Sequence, residues 1–120
     1  MAIAVLEDYH LLGKRLVCTV LRSAGFDLLD YGHGITVDEL VKRSIEDGIQ
    51  ILLISTLMLK SALRVKDATV KLHEAGADIK VVVGGAPFLL DHKLWQDVGA
   101  DAMGRSASEA VEVIKQVMGG

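Results

Sequence analysis

The chain has 120 residues, of which 51% are hydrophobic, and this is enough for one domain with a core of its own. Its 13 basic and 16 acidic side chains leave a net charge of −3, which argues against nucleic acid or an anionic membrane as the main partner. A single cysteine excludes an intrachain disulfide framework. No apolar run reaches the roughly 20 residues that span a bilayer, and the N-terminus lacks the basic segment of a signal peptide. We therefore expect one cytoplasmic domain over residues 1–120.

Short apolar runs alternate with helical stretches along the chain. Strands are predicted at Ala2–Leu6, Phe26–Tyr31, Ile49–Ser55, Ile79–Val83 and Ala100–Met103, and helices at Leu11–Ala24, Val37–Asp47, Leu59–Ala75, Pro87–Val98 and Ala107–Val117. The strands are almost entirely apolar, as a sheet covered on both faces requires. The repeated strand–helix units predict an α/β, flavodoxin-like (Rossmann-like) fold, with a five-stranded parallel sheet of order 2-1-3-4-5 and helices on both faces.

Cap and turn residues support these boundaries. Thr36 with Glu39, and Ser106 with Glu109, have the spacing of a capping box at the start of a helix. A glycine follows four of the predicted helices, where a left-handed residue commonly ends a helix: Gly25, Gly48, Gly76 and Gly99. The single proline, Pro87, is predicted to begin the fourth helix.

The predicted topology indicates where a ligand would bind. In open parallel sheets, ligands bind beyond the carboxyl ends of the strands, near the point where the strand order reverses. The loops at these ends are Glu7–Leu12, Ser55–Ser61, Gly84–Phe88 and Gly104–Ala107.

The loop after the first strand contains Asp8 and His10, followed by Gly13. An aspartate two residues before a histidine can hydrogen-bond one imidazole nitrogen, which fixes the tautomer and raises the basicity of the nitrogen that faces a metal. Gly13 would let a bulky group approach the start of the helix. Taken alone, these residues are equally compatible with an ordinary strand–helix loop.

The loops after the third and fourth strands carry hydroxyl groups and paired glycines. Ser55 and Leu57 follow the third strand, and Ser61 comes six residues after Ser55. Gly84 and Gly85 end the fourth strand and would let a flat or extended ligand lie against bare backbone. The alternatives are that Ser61 is a surface residue of a helix and that the glycines make a simple strand-to-turn break.

Together these motifs resemble the vitamin B12-binding domain family. The family pattern is Asp-x-His-x-x-Gly, then Ser-x-Leu, then Gly-Gly, and the matching residues are Asp8, His10, Gly13, Ser55, Leu57, Gly84 and Gly85. The three parts fall in order on predicted strand ends across most of the chain. Segments between the motifs resemble the methyltransferase-type corrinoid proteins: Gly13-Lys14, Lys66-Asp67, Val83–Pro87 and Ser106–Val111.

The resemblance implies a role for each matching residue of the first loop. His10 would be the lower axial ligand of the cobalt in cobalamin, in place of the cofactor's own dimethylbenzimidazole. Asp8 would hydrogen-bond His10, and Ser61 would continue that relay. The neighbouring residues of the loop would also contact the cofactor: Tyr9, Leu11, Leu12 and Gly13.

The remaining matching residues would hold the displaced nucleotide tail of the cofactor. The resemblance implies that Ser55 and Leu57 line the slot for this tail and that Gly84 and Gly85 form its floor. The buried base would be bordered by three residues after the fifth strand: Gly104, Ser106 and Ala107.

Four positions depart from the family pattern. Glu7 stands where glycine is frequent, Leu11 where an aspartate often follows the histidine, Leu59 where a polar residue is common, and Ser106 where many methyltransferase-type members have aspartate. These departures concern loop details and contacts to the tail, and they leave the axial ligand in place.

The resemblance implies a corrinoid carrier subunit of a multi-component methyltransferase. Its cobalt would carry a methyl group from a donor on one partner to an acceptor on another, with the cofactor bound base-off and His10 on the metal. No catalytic residue is predicted, because the cofactor does the chemistry. The first strand begins close to Met1, so the N-terminal helical cap of methyltransferase-type members is expected to be absent. A partner subunit is therefore expected to cover the upper corrin face.

Three other functions stay open at this point. One is the small cobalamin-binding subunit of an adenosylcobalamin-dependent mutase, whose barrel subunit would then be the partner. Another is a cobalamin store or sensor without catalysis. The last is a flavodoxin-like interaction module without a cofactor.

No chemistry is predicted for five other conspicuous side chains. His33 lies between two glycines and is expected in a turn after the second strand, while His73 and His92 are expected on solvated helix surfaces. Cys18 is expected to be a small core residue. Trp95 is expected to pack a helix onto the sheet.

Overall fold

The computed structural model describes residues 1–6, 11–56 and 58–118, with the backbone alone for Leu6, residues 11–15 and Ala107. Its strands are β1 (Ala2–Leu6), β2 (Leu29–Ile35), β3 (Ile51–Ser55), β4 (Lys80–Gly84) and β5 (Ala102–Gly104). Its helices are α1 (Leu11–Ser23), α2 (Val37–Glu46), α3 (Leu59–Glu74), α4 (Ala86–Leu90), α5 (Leu94–Asp97) and α6 (Ala107–Val117).

The sheet has the predicted topology. Its five parallel strands follow the order β2-β1-β3-β4-β5, which confirms the flavodoxin-like arrangement. Ser55 pairs with Val5 on one side and with Gly84 on the other, and Gly84 pairs in turn with Gly104. The register therefore brings three of the predicted site residues into one row at the carboxyl edge of the sheet.

Alternate residues of the strands face two separate hydrophobic cores. Ile54 and Val83 face the larger core, which α2, α3, α4 and α5 complete. Leu53 and Val82 face the smaller core, to which α1 contributes Cys18 and Leu21 and α6 contributes Ile114. Because both faces are covered at β1, β3 and β4, these strands have continuous apolar runs, whereas the edge strand β2 has exposed residues such as Asp30 and His33. The core position predicted for Cys18 is confirmed.

The predicted helix boundaries are held by the expected caps. The backbone N–H of Glu39 donates to Thr36 Oγ1 over 3.3 Å at the start of α2, and that of Glu109 donates to Ser106 Oγ over 3.1 Å at the start of α6. The four glycines after helices all have positive φ: Gly25, Gly48, Gly76 and Gly99. The capping predictions are confirmed.

The second strand begins later and ends later than predicted. Phe26 and Leu28 precede β2 and pack against the smaller core, so their apolar character reflects that contact and not a strand. The turn predicted at His33 is wrong, because this residue lies within β2 and pairs with Val5. Gly32 and Gly34 have φ values of 83° and 65°, and the β1–β2 register is irregular around them.

The helix predicted at Pro87–Val98 is two short helices, α4 and α5. Asp91 is extended between them, with φ −127° and ψ 104°, and its Oδ1 accepts a hydrogen bond of 3.0 Å from the N–H of Lys93. His92 is exposed but lies in this turn, so the prediction that it is on a helix is wrong, whereas His73 is exposed on α3 as expected. Trp95 on α5 packs against the larger core, as predicted.

Candidate functional site

A cavity of about 260 Å³ lies at the carboxyl ends of β3, β4 and β5. Its walls on the sheet are Ile3, Leu53 and Val82, the residues that also face the smaller core. Val17 of α1 and Ala110 of α6 close the sides. A cavity with such walls suits a flat, largely apolar group.

Five of the sequence-predicted residues line this cavity. They come from the ends of three neighbouring strands and from the start of α6: Ser55, Gly84, Gly85, Gly104 and Ser106. The pairing of Ser55 with Gly84 and of Gly84 with Gly104 explains why they meet here. The structure thus brings together five of the seven residues that the resemblance assigned to the slot for the nucleotide tail.

The two glycines after β4 are required by the chain's own backbone. Gly85 has a φ of 117°, and a Cβ built there would lie 1.8 Å from the carbonyl oxygen of Thr56. A Cβ at Gly84 would lie 3.3 Å from the carbonyl oxygen of Gly104, and the Thr56 N–H donates to Gly84 O over 3.1 Å. The glycines therefore let the β3 and β4 ends approach closely, in addition to lining the cavity.

Two buried hydroxyl groups stand near the carboxyl edge without a hydrogen-bond partner among the residues that the structure describes. They are Thr56 Oγ1, directly after β3, and Ser61 Oγ in the first turn of α3, and both residues are fully buried. The alternative that Ser61 is a surface residue is therefore wrong. An unpartnered buried hydroxyl costs about 1–3 kcal/mol, so such groups mark places where a further polar partner is expected.

The other predicted site residues are either outside the described residues or described by their backbone alone. Asp8, Tyr9 and His10 belong to residues 7–10, and Leu57 stands between the described ranges. Leu11, Leu12 and Gly13 form the first turn of α1, where only the backbone is described, as it is for Ala107. Since β1 ends at Leu6 and pairs with β3, the chain enters residues 7–10 at the same edge of the sheet as the cavity.

Several residues that line the cavity were not singled out in the sequence, and Arg105, Leu16 and Val17 are among them. Arg105 lines the cavity between Gly104 and Ser106, and its position directly after a strand end was a signal that could have identified it. Leu16 and Val17 of α1 also line the cavity. The Leu16 side chain is 59% exposed, so a ligand seated in the cavity would cover apolar surface that is open to water.

Among residues 1–6, 11–56 and 58–118 there is no group of three or more His, Cys, Asp or Glu side chains placed to hold a metal ion. No described helix has the length and apolar character needed to cross a membrane.

The chain is similar to known proteins along almost its whole length. The family described as the B12 binding domain matches residues 1–115. A dimethylamine corrinoid protein of Methanosarcina acetivorans is 35% identical over 114 residues, which cover 92% of this chain and 52% of the relative. The chain thus spans about half the length of the curated relatives it matches.

Solved structures agree with this assignment. The monomethylamine corrinoid protein of Methanosarcina barkeri superposes with a TM-score of 0.87 at 33% identity, covering 97% of this chain and 57% of the other. A cobalamin-binding protein of Desulfitobacterium hafniense superposes with a TM-score of 0.88 at 26% identity, covering 96% of this chain and 56% of the other.

Proposed function

The chain belongs to the B12-binding domain family, and we propose that residues 1–120 form one cobalamin-binding domain that serves as the corrinoid carrier of a methyltransferase system. The observation that carries this proposal is the cavity at the ends of β3, β4 and β5, which is lined by three residues of the family's motif, Ser55, Gly84 and Gly85. The relatives named above, two of them methylamine corrinoid proteins, favour methyl transfer over a mutase reaction.

The residues at the cavity fit the nucleotide tail of a corrinoid. The aromatic base of such a tail is flat and mostly apolar, and the walls contributed by Leu53, Val82 and Val17 match that character. Ser55 lines the same cavity and can offer a hydroxyl group to a ring nitrogen. Gly84 leaves the strand end free of a side chain that would narrow the slot. These features support a bound tail held away from the cobalt.

Displacement of the tail leaves the lower face of the corrin to a protein ligand, and we assign this role to His10. Asp8 would accept a hydrogen bond from one ring nitrogen of His10, so that the other nitrogen presents its lone pair. Ser61 supports this assignment, because its hydroxyl is fully buried at the start of α3 and has no partner within the described ranges. A carboxylate or imidazole from residues 7–10 would satisfy that hydroxyl.

The cofactor supplies the group-transfer chemistry when bound, since its cobalt accepts a methyl group from one substrate and gives it to another. The protein's part is to hold the ring and to adjust the axial ligand. An imidazole that is not a metal ligand can take up a proton, and the Asp8 carboxylate would stabilise the imidazolium of His10. Ser61, as a further hydrogen-bond partner of Asp8, would hold that carboxylate in place, so the relay would keep the proton on His10.

A cobalamin titration tests the binding and the relay together. We expect the purified protein to bind one equivalent of cobalamin base-off with His10 on the cobalt, so the bound cofactor should keep the absorption spectrum of nitrogen-ligated cobalt. Asp8→Asn should still bind but about 10–100-fold more weakly, because it disturbs the support of the ligand and not the ligand itself. Asp78→Asn, at an exposed site away from the cavity, should leave the affinity unchanged. Wild-type protein that does not bind cobalamin, or a bound cofactor whose spectrum shows cobalt without a nitrogen ligand, would contradict the proposal.

We also expect the bound cofactor to need a protein partner for methyl transfer. Fixing the reacting geometry removes much of a bimolecular barrier, and a partner that holds the methyl donor or acceptor would fix it. Photolysis of bound methylcobalamin should be fast for the domain alone and slower with the methyltransferase subunit, and transfer should occur only in that mixture. Efficient transfer by the lone domain to small free substrates would contradict the carrier function.

A further inference from the structure

The rim of the cavity carries one charged side chain. Of the described residues that line the cavity, Arg105 alone has a charge, and the others are apolar, hydroxyl-bearing or glycine. It follows β5 directly, between Gly104 and the cap residue of α6, Ser106. A cation at the mouth of an apolar slot is suited to a ligand that is apolar inside and anionic where it emerges.

The local hydrogen bonds fix the position of Arg105. Its backbone N–H donates to Glu109 Oε1 over 3.4 Å, and the Glu109 N–H donates to Ser106 Oγ over 3.1 Å. Glu109 therefore uses a carboxylate oxygen to hold the Arg105 backbone. Within residues 1–6, 11–56 and 58–118, no carboxylate forms an ion pair with the Arg105 guanidinium. Arg105 is an exposed residue that lines the cavity, so its guanidinium is available to a ligand.

We propose that Arg105 binds the phosphodiester of the corrinoid's nucleotide tail and so selects corrinoids that carry a complete tail. This inference rests on the proposed function, because the tail must occupy the cavity. The phosphodiester joins the corrin side arm to the nucleotide and carries one negative charge, so it must lie near the mouth when the base is inside. A guanidinium offers paired N–H donors to phosphate oxygens and stays charged at any physiological pH.

The closing experiment compares two ligands that differ in the tail. Cobalamin has the phosphodiester, ribose and base, whereas cobinamide has none of them. Arg105→Gln should weaken cobalamin binding about fivefold at low ionic strength, and this loss should shrink as salt is added, because the contact is at an exposed rim. The affinity for cobinamide should not change. Arg105→Lys should recover most of the loss, and Arg64→Gln on α3, away from the cavity, serves as the matched control.

The possible outcomes separate this inference from the proposed function. Equal losses for both ligands, or no loss for cobalamin, would overturn the role of Arg105 while leaving the cavity as a corrinoid site. Wild-type protein that binds neither ligand would refute the proposed function and, with it, the inference. Circular dichroism of each variant checks the fold, and Arg105→Lys keeps the comparison valid if Arg105→Gln is poorly folded.

Discussion

Gly85→Ala is expected to be among the most destabilising single substitutions in this chain. A methyl group at this position would lie 1.8 Å from the Thr56 carbonyl oxygen, and the backbone φ of 117° is one that side-chain-bearing residues rarely adopt. Backbone strain alone costs about 1–3 kcal/mol, and displacing the end of β3 adds to it. We expect the free energy of unfolding to fall by on the order of 3 kcal/mol or more, a large part of the roughly 5–15 kcal/mol of a typical domain.

Gly48→Ala is the matched control for this substitution. Gly48 also has a positive φ, 61°, but a Cβ there would meet nothing within 4 Å. Its cost should therefore be only the ordinary left-handed penalty of about 1–2 kcal/mol. Urea denaturation followed by circular dichroism measures the free energy of unfolding of both variants without cofactor. Equal stabilities for the two variants would mean that the close approach of Thr56 to Gly85 does not constrain the fold.

His10→Ala is expected to produce the largest loss of cobalamin affinity. Removing the axial ligand should cost more than the roughly 10–100-fold typical of its supporting residues. Any complex that still forms should have water or the cofactor's own base on the cobalt, which changes the absorption spectrum. The thermal stability of the cofactor-free protein should be nearly unchanged, because residue 10 falls in the sequence between the end of β1 and the start of α1, and loop substitutions are usually tolerated.

His92→Ala controls for the general loss of an imidazole. This side chain is exposed in the turn between α4 and α5 and does not line the cavity. Its removal should leave both affinity and spectrum as they are in the wild type. A wild-type spectrum and affinity for His10→Ala would contradict the assignment of His10.

The fold was largely predictable because burial on both faces of the sheet makes the strands apolar without interruption. The same signal failed where apolar residues serve another purpose. Phe26 and Leu28 extend an apolar run but pack beside α1 and α6 before β2 begins. The break between α4 and α5 occurs at Asp91, and no glycine or proline marks it in the sequence. Tertiary packing decides the first case, whereas a local hydrogen bond from the Lys93 N–H to Asp91 Oδ1 accompanies the second.

Some residues of the site were predicted from the sequence. The burial of Ser61 was not predicted, although the sequence contained a signal for it. Ser61 shares the spacing of the buried α3 residues Val65, Ala68 and Leu72, so its helical face could have indicated burial. The contact between Gly85 and Thr56 could not be predicted, because it depends on how closely two strand ends approach in three dimensions. Paired glycines indicate such an approach but do not say whether a ligand or the backbone occupies the space.

The most direct test of the account is the nitrogen ligand of the bound cobalt. The purified protein would be prepared with natural-abundance nitrogen and with nitrogen-15, loaded with the same unlabelled cobalamin and reduced to the Co(II) state. Electron paramagnetic resonance then reports the hyperfine splitting from the axial nitrogen. We predict a three-line splitting that becomes two lines when the protein is labelled, because the ligand is the imidazole of His10. A splitting that labelling leaves unchanged would mean that the cofactor's own base is the ligand and would contradict the account.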